Sequence, residues 1–389
     1  MQDLSIYRQN TLLYSQEALS RYQPGGYHPV SLGDTFQDGR YRVHHKLGWG
    51  GFSTVWLVHD KEANQWVPLK VMTADSLDHP RELENLHLLA NYAKGNLATN
   101  HIVQLLDEFT HEGPNGVHRC LVFELLGPSL DKVIAGYHDS QYTFEPETVL
   151  RISKQFLEGL KFIHDAGLGR GDLSGGNVAF RCSGLTNADE DEVMEILGRP
   201  EVEDLIRLDG EPLAPGLPSQ IVKATRWEEW FEEDLEDIRI LDFGEAFLQS
   251  DQPITKLAQP AQLRIPETFF VERFDHRVDL YRAGYVLYAL VRGPYPFQYL
   301  GDDDDLEQIK LVSNHPLLVD EIKEGKPPEL QRRIEERVGD ASLACLIPIM
   351  TGLMKFLLAE RMAASEALDL LADIQESEEV ELETDDIDV

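Results

Sequence analysis

The sequence predicts an α+β chain in two parts, a small β-rich part with one main helix and a larger, mostly helical part. Two observations lead there. Strand-like runs crowd the stretch after residue 41, in "YRVHHKLGWGGFSTVWLVHD" and "WVPLKVM", with a glycine turn dividing the first of them. Helical spacing then takes over after Leu126, most plainly in "PETVLRISKQFLEGLKFIHDAG".

In chain order, residues 1–25 are polar with a few aromatics and read as an extension. Two β-rich runs follow, joined by the glycine turn, and "WVPLKVM" continues them. In "HPRELENLHLLANYA" Leu83, Leu86, Leu89 and Ala90 share one helical face. "HIVQLLDEFTH" and "HRCLVFELL" return to strand, so residues 26–126 form the first part and 127–372 the second. Val149, Ile152, Phe156, Leu160 and Ile163 lie on one stripe of the next helix, which Gly167 ends. "VDLYRAGYVLYALVRG" is apolar nearly all round, the mark of a helix buried on every side. Residues 181–237 read as an acidic, loop-rich insertion, and 373–389 as a disordered acidic tail. The apolar stretch 343–359 carries a Pro, a Gly and a Lys, and is expected to be a buried helix rather than a membrane span.

Composition narrows the partners. The 389 residues include 69 acidic and 35 basic side chains, a formal charge of −34, which repels nucleic-acid phosphates and anionic membranes and favours basic partners. Neither direct nucleic-acid binding nor membrane association is expected. Three widely spaced cysteines, Cys120, Cys182 and Cys345, suggest reduced, buried thiols in a cytoplasmic and nuclear protein. The N-terminal stretch lacks the plan of a signal peptide.

Single motifs here are ordinary; their order is not. A glycine hairpin, "GWGGFSTV", precedes a strand lysine, Lys70, by about twenty residues. A helical glutamate follows (Glu82, with Glu84 as the alternative), then Asp172 and Asn177 five apart, then "DFG" at Asp242, then "PE" in "RIPETFF". This is the signature set of a bilobal protein kinase fold. Transfer of a terminal phosphoryl group is mainly positioning and charge neutralisation, and the residue types suit that work. Gly48, Gly50 and Gly51 let backbone approach phosphates. Lys70, oriented by Glu82, would hold the α- and β-phosphates of ATP. Asp242 and Asn177 offer hard oxygens to Mg²⁺, and Asp172 would accept or orient the substrate hydroxyl proton.

Residues 25–60, with their "GYHPV", "GRY" and "KLGWGGFSTVWL" blocks, closely resemble the first lobe of the serine/arginine-rich-protein kinases. "LVFELLGPSL" and "PGLPSQIVKA" are also similar to segments of that family. The resemblance implies a Ser/Thr kinase using ATP and Mg²⁺ on basic, Arg-Ser-rich proteins, and a monomer. It implies a nucleotide site built from Leu47, Gly48, Trp49, Gly50, Gly51, Phe52, Ser53, Thr54, Val55 and Lys70. It also implies Phe123 as gatekeeper and Glu124–Leu126 facing adenine, with Ser53 at the third glycine position. Asp279 matches the aspartate tying the catalytic loop to the central helix, and Glu267 and Arg361 match the ion pair of the activation segment. Arg264 matches the arginine before the Pro-Glu, and the acidic run 301–309 falls where the family docks its substrates. Departures are Arg170 where His is usual, Gly171 after it, Pro68 at the usual Ala position, and Ser174 where the loop lysine would touch the transferring phosphate. The missing cation leaves a second reading, a pseudokinase or weakly active nucleotide-binding scaffold. A third is a metabolic small-molecule kinase of the same fold.

Overall fold

The computed structural model describes residues 4–78, 81–94, 101–140, 142–227, 230, 232–251, 257, 265–267, 274–293 and 329–373. Arg264, the acidic run 301–309 and residues 374–389 of the tail lie outside the described residues. Backbone contacts divide the chain into two units: residues 1–80, 103–128 and 181–232 in the first, and 81–102, 129–180 and 233–389 in the second.

The first unit is built on a six-stranded sheet of β1 (Thr35–Phe36), β2 (Tyr41–Gly50), β3 (Ser53–Asp60), β4 (Gln65–Met72), β5 (Leu105–Gly113) and β6 (Gly116–Phe123). Its order is β1-β2-β3-β4-β6-β5, with antiparallel neighbours throughout. Alternate residues point to one face of a strand. Tyr41 and Val43, Trp56 and Val58, Val67, Leu69 and Val71, and Cys120 and Val122 therefore make one continuous core. Full burial of such side chains contributes roughly 1.5–3 kcal/mol each. Arg40 ties the start of β2 to the end of β3 with a paired hydrogen bond to Asp60 at 2.7 and 2.9 Å.

The N-terminal segment is not a loose extension. Tyr7, Leu12, Leu13, Leu19 and Tyr22 are buried in a second core, together with Leu205 and Ile221 of the acidic insertion. The insertion is likewise more than loops. It holds a helix, Glu190–Leu197, and two paired strands, Val202–Asp204 and Gln220–Val222. Asp189 starts that helix with a capping box: its carboxylate accepts from the Glu192 amide at 2.9 Å, and Glu192 accepts from the Asp189 amide at 3.0 Å. Val222 joins the sheet core, so the insertion packs in the first unit.

In the second unit the helix Pro146–Asp165 opens with Pro at its first position, where a missing N–H costs nothing. The predicted stripe Val149, Ile152, Phe156, Leu160 and Ile163 is wholly buried. The helix Val278–Arg292 is buried along its length from Val278 to Val291. Within 343–359 the buried helix runs only from Leu346 to Leu353, with Pro348 tolerated in its first turn. No helix among the described residues is long and apolar enough to cross a membrane. All three cysteines are buried and unbridged.

Candidate active site

The predicted site residues divide between the units. Glu82, Asp172, Asn177 and Asp242 belong to the second; the glycine hairpin, Lys70 and Phe123–Leu126 belong to the first.

In the second unit, the catalytic loop follows the long helix through Gly167, whose φ of +84° suits glycine, and the short strand Leu168–Gly169. Gly171 then takes φ +75°, and a Cβ there would meet the Glu245 carbonyl at 2.5 Å. Only glycine fits, which explains the residue before Asp172. Beneath the loop Asp279 is fully buried and accepts from the Arg170 amide at 2.6 Å and the Gly171 amide at 2.9 Å. His164 adds a contact at 3.1 Å. Burial pushes the Asp279 carboxyl up, but His164 and the two amides outweigh it and hold the group below the usual carboxylate range.

Asp172 is gripped from two sides. The Asn177 side-chain amide donates to its main-chain carbonyl at 2.8 Å and to its Oδ2 at 3.1 Å. Arg282 Nη1 lies 3.6 Å from Oδ1 and donates to the Gly171 carbonyl at 2.7 Å. Because Asn177 spends its N–H₂ on Asp172, its Oδ1 is the atom left for a cation. The register of strand Val178–Arg181 against Ile238–Ile240 aligns Ile240 with Val178, and the Leu241 amide donates to the Asn177 carbonyl at 3.0 Å. Asp242 follows that bond by one residue. It has φ +61° and ψ 76°, a left-handed conformation that Asp tolerates better than most side chains. Arg170, fully buried, donates to the Leu241 carbonyl at 2.8 Å and lies over the Phe243 ring at 5.3 Å. It braces the loop from within.

Glu82 lies on the buried face of the helix Arg81–Tyr92, and Glu84 is exposed. Three residues on from Glu82, and so on the same face, Asn85 donates to the Phe243 and Ala246 carbonyls at 3.0 Å each. The helix is thereby fixed to the turn that carries Asp242. Glu267 and Arg361 form a buried ion pair, and Arg361 also donates to the Arg277 carbonyl at 2.9 Å. Ser174 is nearly buried, in extended backbone just before the turn Gly175–Asn177.

In the first unit, Lys70 is half-buried on β4, opposite Val55 of β3 and Leu121 of β6. Ser53 and Thr54 are buried, while Trp49, Gly51 and Phe52 are exposed. Pro68 sits in β4 opposite Leu57. Phe123 ends β6, and Glu124 bonds Gln104 twice, amide to carbonyl at 3.1 Å and carboxylate to amide at 2.9 Å. That pair of hydrogen bonds fixes the chain leaving the sheet.

The donors suit a magnesium-bound nucleotide. A Cβ added at Gly48, Gly50 or Gly51 meets nothing within 4 Å, so that face of the hairpin is open for phosphates. Among the described residues no cluster of three or more His, Cys, Asp or Glu stands ready to hold a metal. Mg²⁺ characteristically takes one or two protein oxygens and completes its shell with water and phosphate, which matches Asp242 with Asn177. Sequence reasoning missed Asn85 and Arg282. Arg282 lies inside a run read as apolar apart from Asp279, and its signal was a second charge in the middle of it.

The protein kinase domain model matches residues 41–184. SKY1, a serine/threonine-protein kinase of Saccharomyces cerevisiae, is 40% identical over 156 residues, covering 39% of this chain and 21% of its own length. The serine/threonine-protein kinase SRPK of Physarum polycephalum is 29% identical over 333 residues, 77% of this chain and 73% of that protein. Residues 41–184 thus match a protein kinase domain, and the relatives that the chain is similar to are serine/threonine-protein kinases. Human SRSF protein kinase 3 is 41% identical over 156 residues, 38% of this chain and 26% of its own. The chain thus spans well under a third of the length of most of these relatives. A kinase-domain crystal structure superposes with a TM-score of 0.58 at 18% identity, over 88% of this chain and 97% of the other, and shows the same fold. The α+β kinase fold expected from the sequence is borne out.

Proposed function

We propose that the protein is an ATP- and Mg²⁺-dependent serine/threonine kinase that phosphorylates basic, Arg-Ser-rich proteins. The observation that carries this is the complete set of Asp172, Asn177 and Asp242 on one hydrogen-bonded loop system. Bound Mg·ATP supplies the phosphoryl group and the metal charge that neutralises it. Lys70 would hold the α- and β-phosphates, and Asn177 Oδ1 and the Asp242 carboxylate would hold the metal. Asp172, fixed by Asn177 and Arg282, orients the substrate hydroxyl and takes its proton as the new P–O bond forms and ADP departs. The charge of −34 supports a basic substrate through long-range attraction.

Ser174 favours a second reading, a nucleotide-binding scaffold with little transfer. Losing one preorganised charge at a transition state costs about 10²–10³ in rate, which slows an enzyme without abolishing it. Labelled Mg·ATP and an Arg-Ser peptide decide between the two. Transfer above that of an Asp172→Ala control supports the kinase. Mg·ATP binding with transfer no greater than that control supports the scaffold.

A further inference from the structure

Three successive carbonyls at the tip of the glycine hairpin accept hydrogen bonds from outside it. Tyr27 Oη donates to the Gly50 carbonyl at 2.5 Å, and Arg21 Nη2 donates to the Gly51 carbonyl at 2.5 Å. The Thr73 amide donates to the Phe52 carbonyl at 2.8 Å. In a planar trans peptide the carbonyl and the next residue's N–H point in opposite directions. Holding the Gly50 and Gly51 carbonyls therefore turns the N–H groups of Gly51 and Phe52 away from the N-terminal segment. Successive backbone N–H groups of this kind make an anion-binding surface. The same segment also grips the base of the glycine run. Lys46, fully buried just before Leu47, pairs with Glu17, which also accepts from Tyr22 Oη at 2.5 Å. The Arg21 guanidinium lies 5.3 Å from the Tyr27 ring centroid, and the Tyr22 and Tyr27 rings meet edge-on at 5.5 Å. Leu12, Leu13 and Leu19 secure the segment against Leu205 and Ile221.

We propose that residues 12–27 are a built-in strap that aims the hairpin's amides at nucleotide phosphates, with Arg21 and Tyr27 as its positioning residues. The proposal rests on the nucleotide-binding reading above. It assigns a task to a segment that lies outside the matched kinase domain, residues 41–184. It also separates phosphate affinity from adenine affinity, because the strap's bonds to the hairpin fall at Lys46, Gly50 and Gly51.

The test measures binding of Mg·ATP and of adenosine, by calorimetry, to the full chain and to Tyr27→Phe, Arg21→Ala and Arg21→Lys. Each lost hydrogen bond is expected to weaken Mg·ATP about 3- to 10-fold. Adenosine, which has no phosphate, keeps its affinity, and Arg21→Lys recovers part of the loss. Tyr27→Phe removes one oxygen and keeps the packed ring, so it reads the bond rather than the core. Unchanged Mg·ATP affinity in both Tyr27→Phe and Arg21→Ala overturns the strap, and so does a matching loss for adenosine. Failure of the unaltered protein to bind Mg·ATP overturns the proposed function, and the strap with it.

Discussion

The glycine hairpin and the catalytic loop are both assigned to phosphate chemistry, yet they are held by opposite means. The hairpin tip is exposed, and its carbonyls are caught by side chains from the distant segment 12–27. The catalytic loop rests on charges sealed inside the second unit, Asp279, Arg282 and Arg170, each with no exposed surface. An exposed hydrogen bond is worth little more than its exchange with water, whereas a buried charge missing its partner carries a full desolvation penalty. The hairpin is thus built to be adjustable and the loop to be fixed. Substitutions in the loop should be severe and act on turnover. Those at the strap should be mild and act on nucleotide affinity.

The largest effect that comparison predicts is at Asp172. Asp172→Asn keeps the shape and the Asn177 contact while removing the proton acceptor, so kcat should fall about 10²–10⁴-fold. Mg·ATP affinity should hold, which titration calorimetry checks beside a radiometric assay. Next is Arg282→Ser, which frees the Gly171 carbonyl and Asp172 Oδ1 from their cation. Displacing a reacting group by an ångström can cost about 10²-fold, so kcat should drop by about 10- to 100-fold with KM for ATP unchanged. A selective rise in KM would show that the loop is not the rigid partner in the comparison.

Acid should expose the first unit's side of the contrast. His28, immediately after Tyr27, packs against His111 and His118 with ring centroids 4.6 and 5.0 Å away. Burial lowers its pKa to about 3, helped by those two neighbours, which are themselves lowered by burial. Asp34 opposes the effect at His111. A histidine held neutral in the fold takes up its proton more readily unfolded, so stability is intact above the unfolded pKa near 6.5 and is lost as pH falls below it. At pH 5 His28 alone should cost on the order of 2 kcal/mol. Denaturant melts at pH 7 and pH 5 measure this, and in His28→Phe the difference should shrink by about that amount. The smallest expected effect is a gain. Ser174→Lys should raise turnover about tenfold by restoring a cation at the transferring phosphate. If single-turnover rates do not move, another cation already serves.

Much of this was legible in sequence because it is local. The period-2 runs gave the strands, the stripe from Val149 to Ile163 gave a long helix with a fully buried face, and the spaced glycines and carboxylates marked the chemistry. What escaped is non-local. Leu12, Leu13 and Leu19 sit in a polar stretch without a clean period, and their partners Leu205 and Ile221 follow nearly two hundred residues later. The insertion looked irregular for the same reason, since the groups that order it come from the other end of the unit. Arg282 was hidden by its neighbours. A charge inside an apolar helix says that a counter-charge lies nearby, but not that the counter-charge is Asp172.

The left-handed turn at Asp242 dictates how an inactive control should be made. Alanine at 242 would remove a metal ligand and place a residue that disfavours φ near +61° there, so lost activity could report a refolded turn. Asparagine accepts the same backbone and keeps the side-chain outline, changing little beyond charge. A kinase-dead protein carrying Asp242→Asn would therefore preserve the docking surfaces that a pull-down experiment needs, where the alanine version would blur scaffold function with local unravelling.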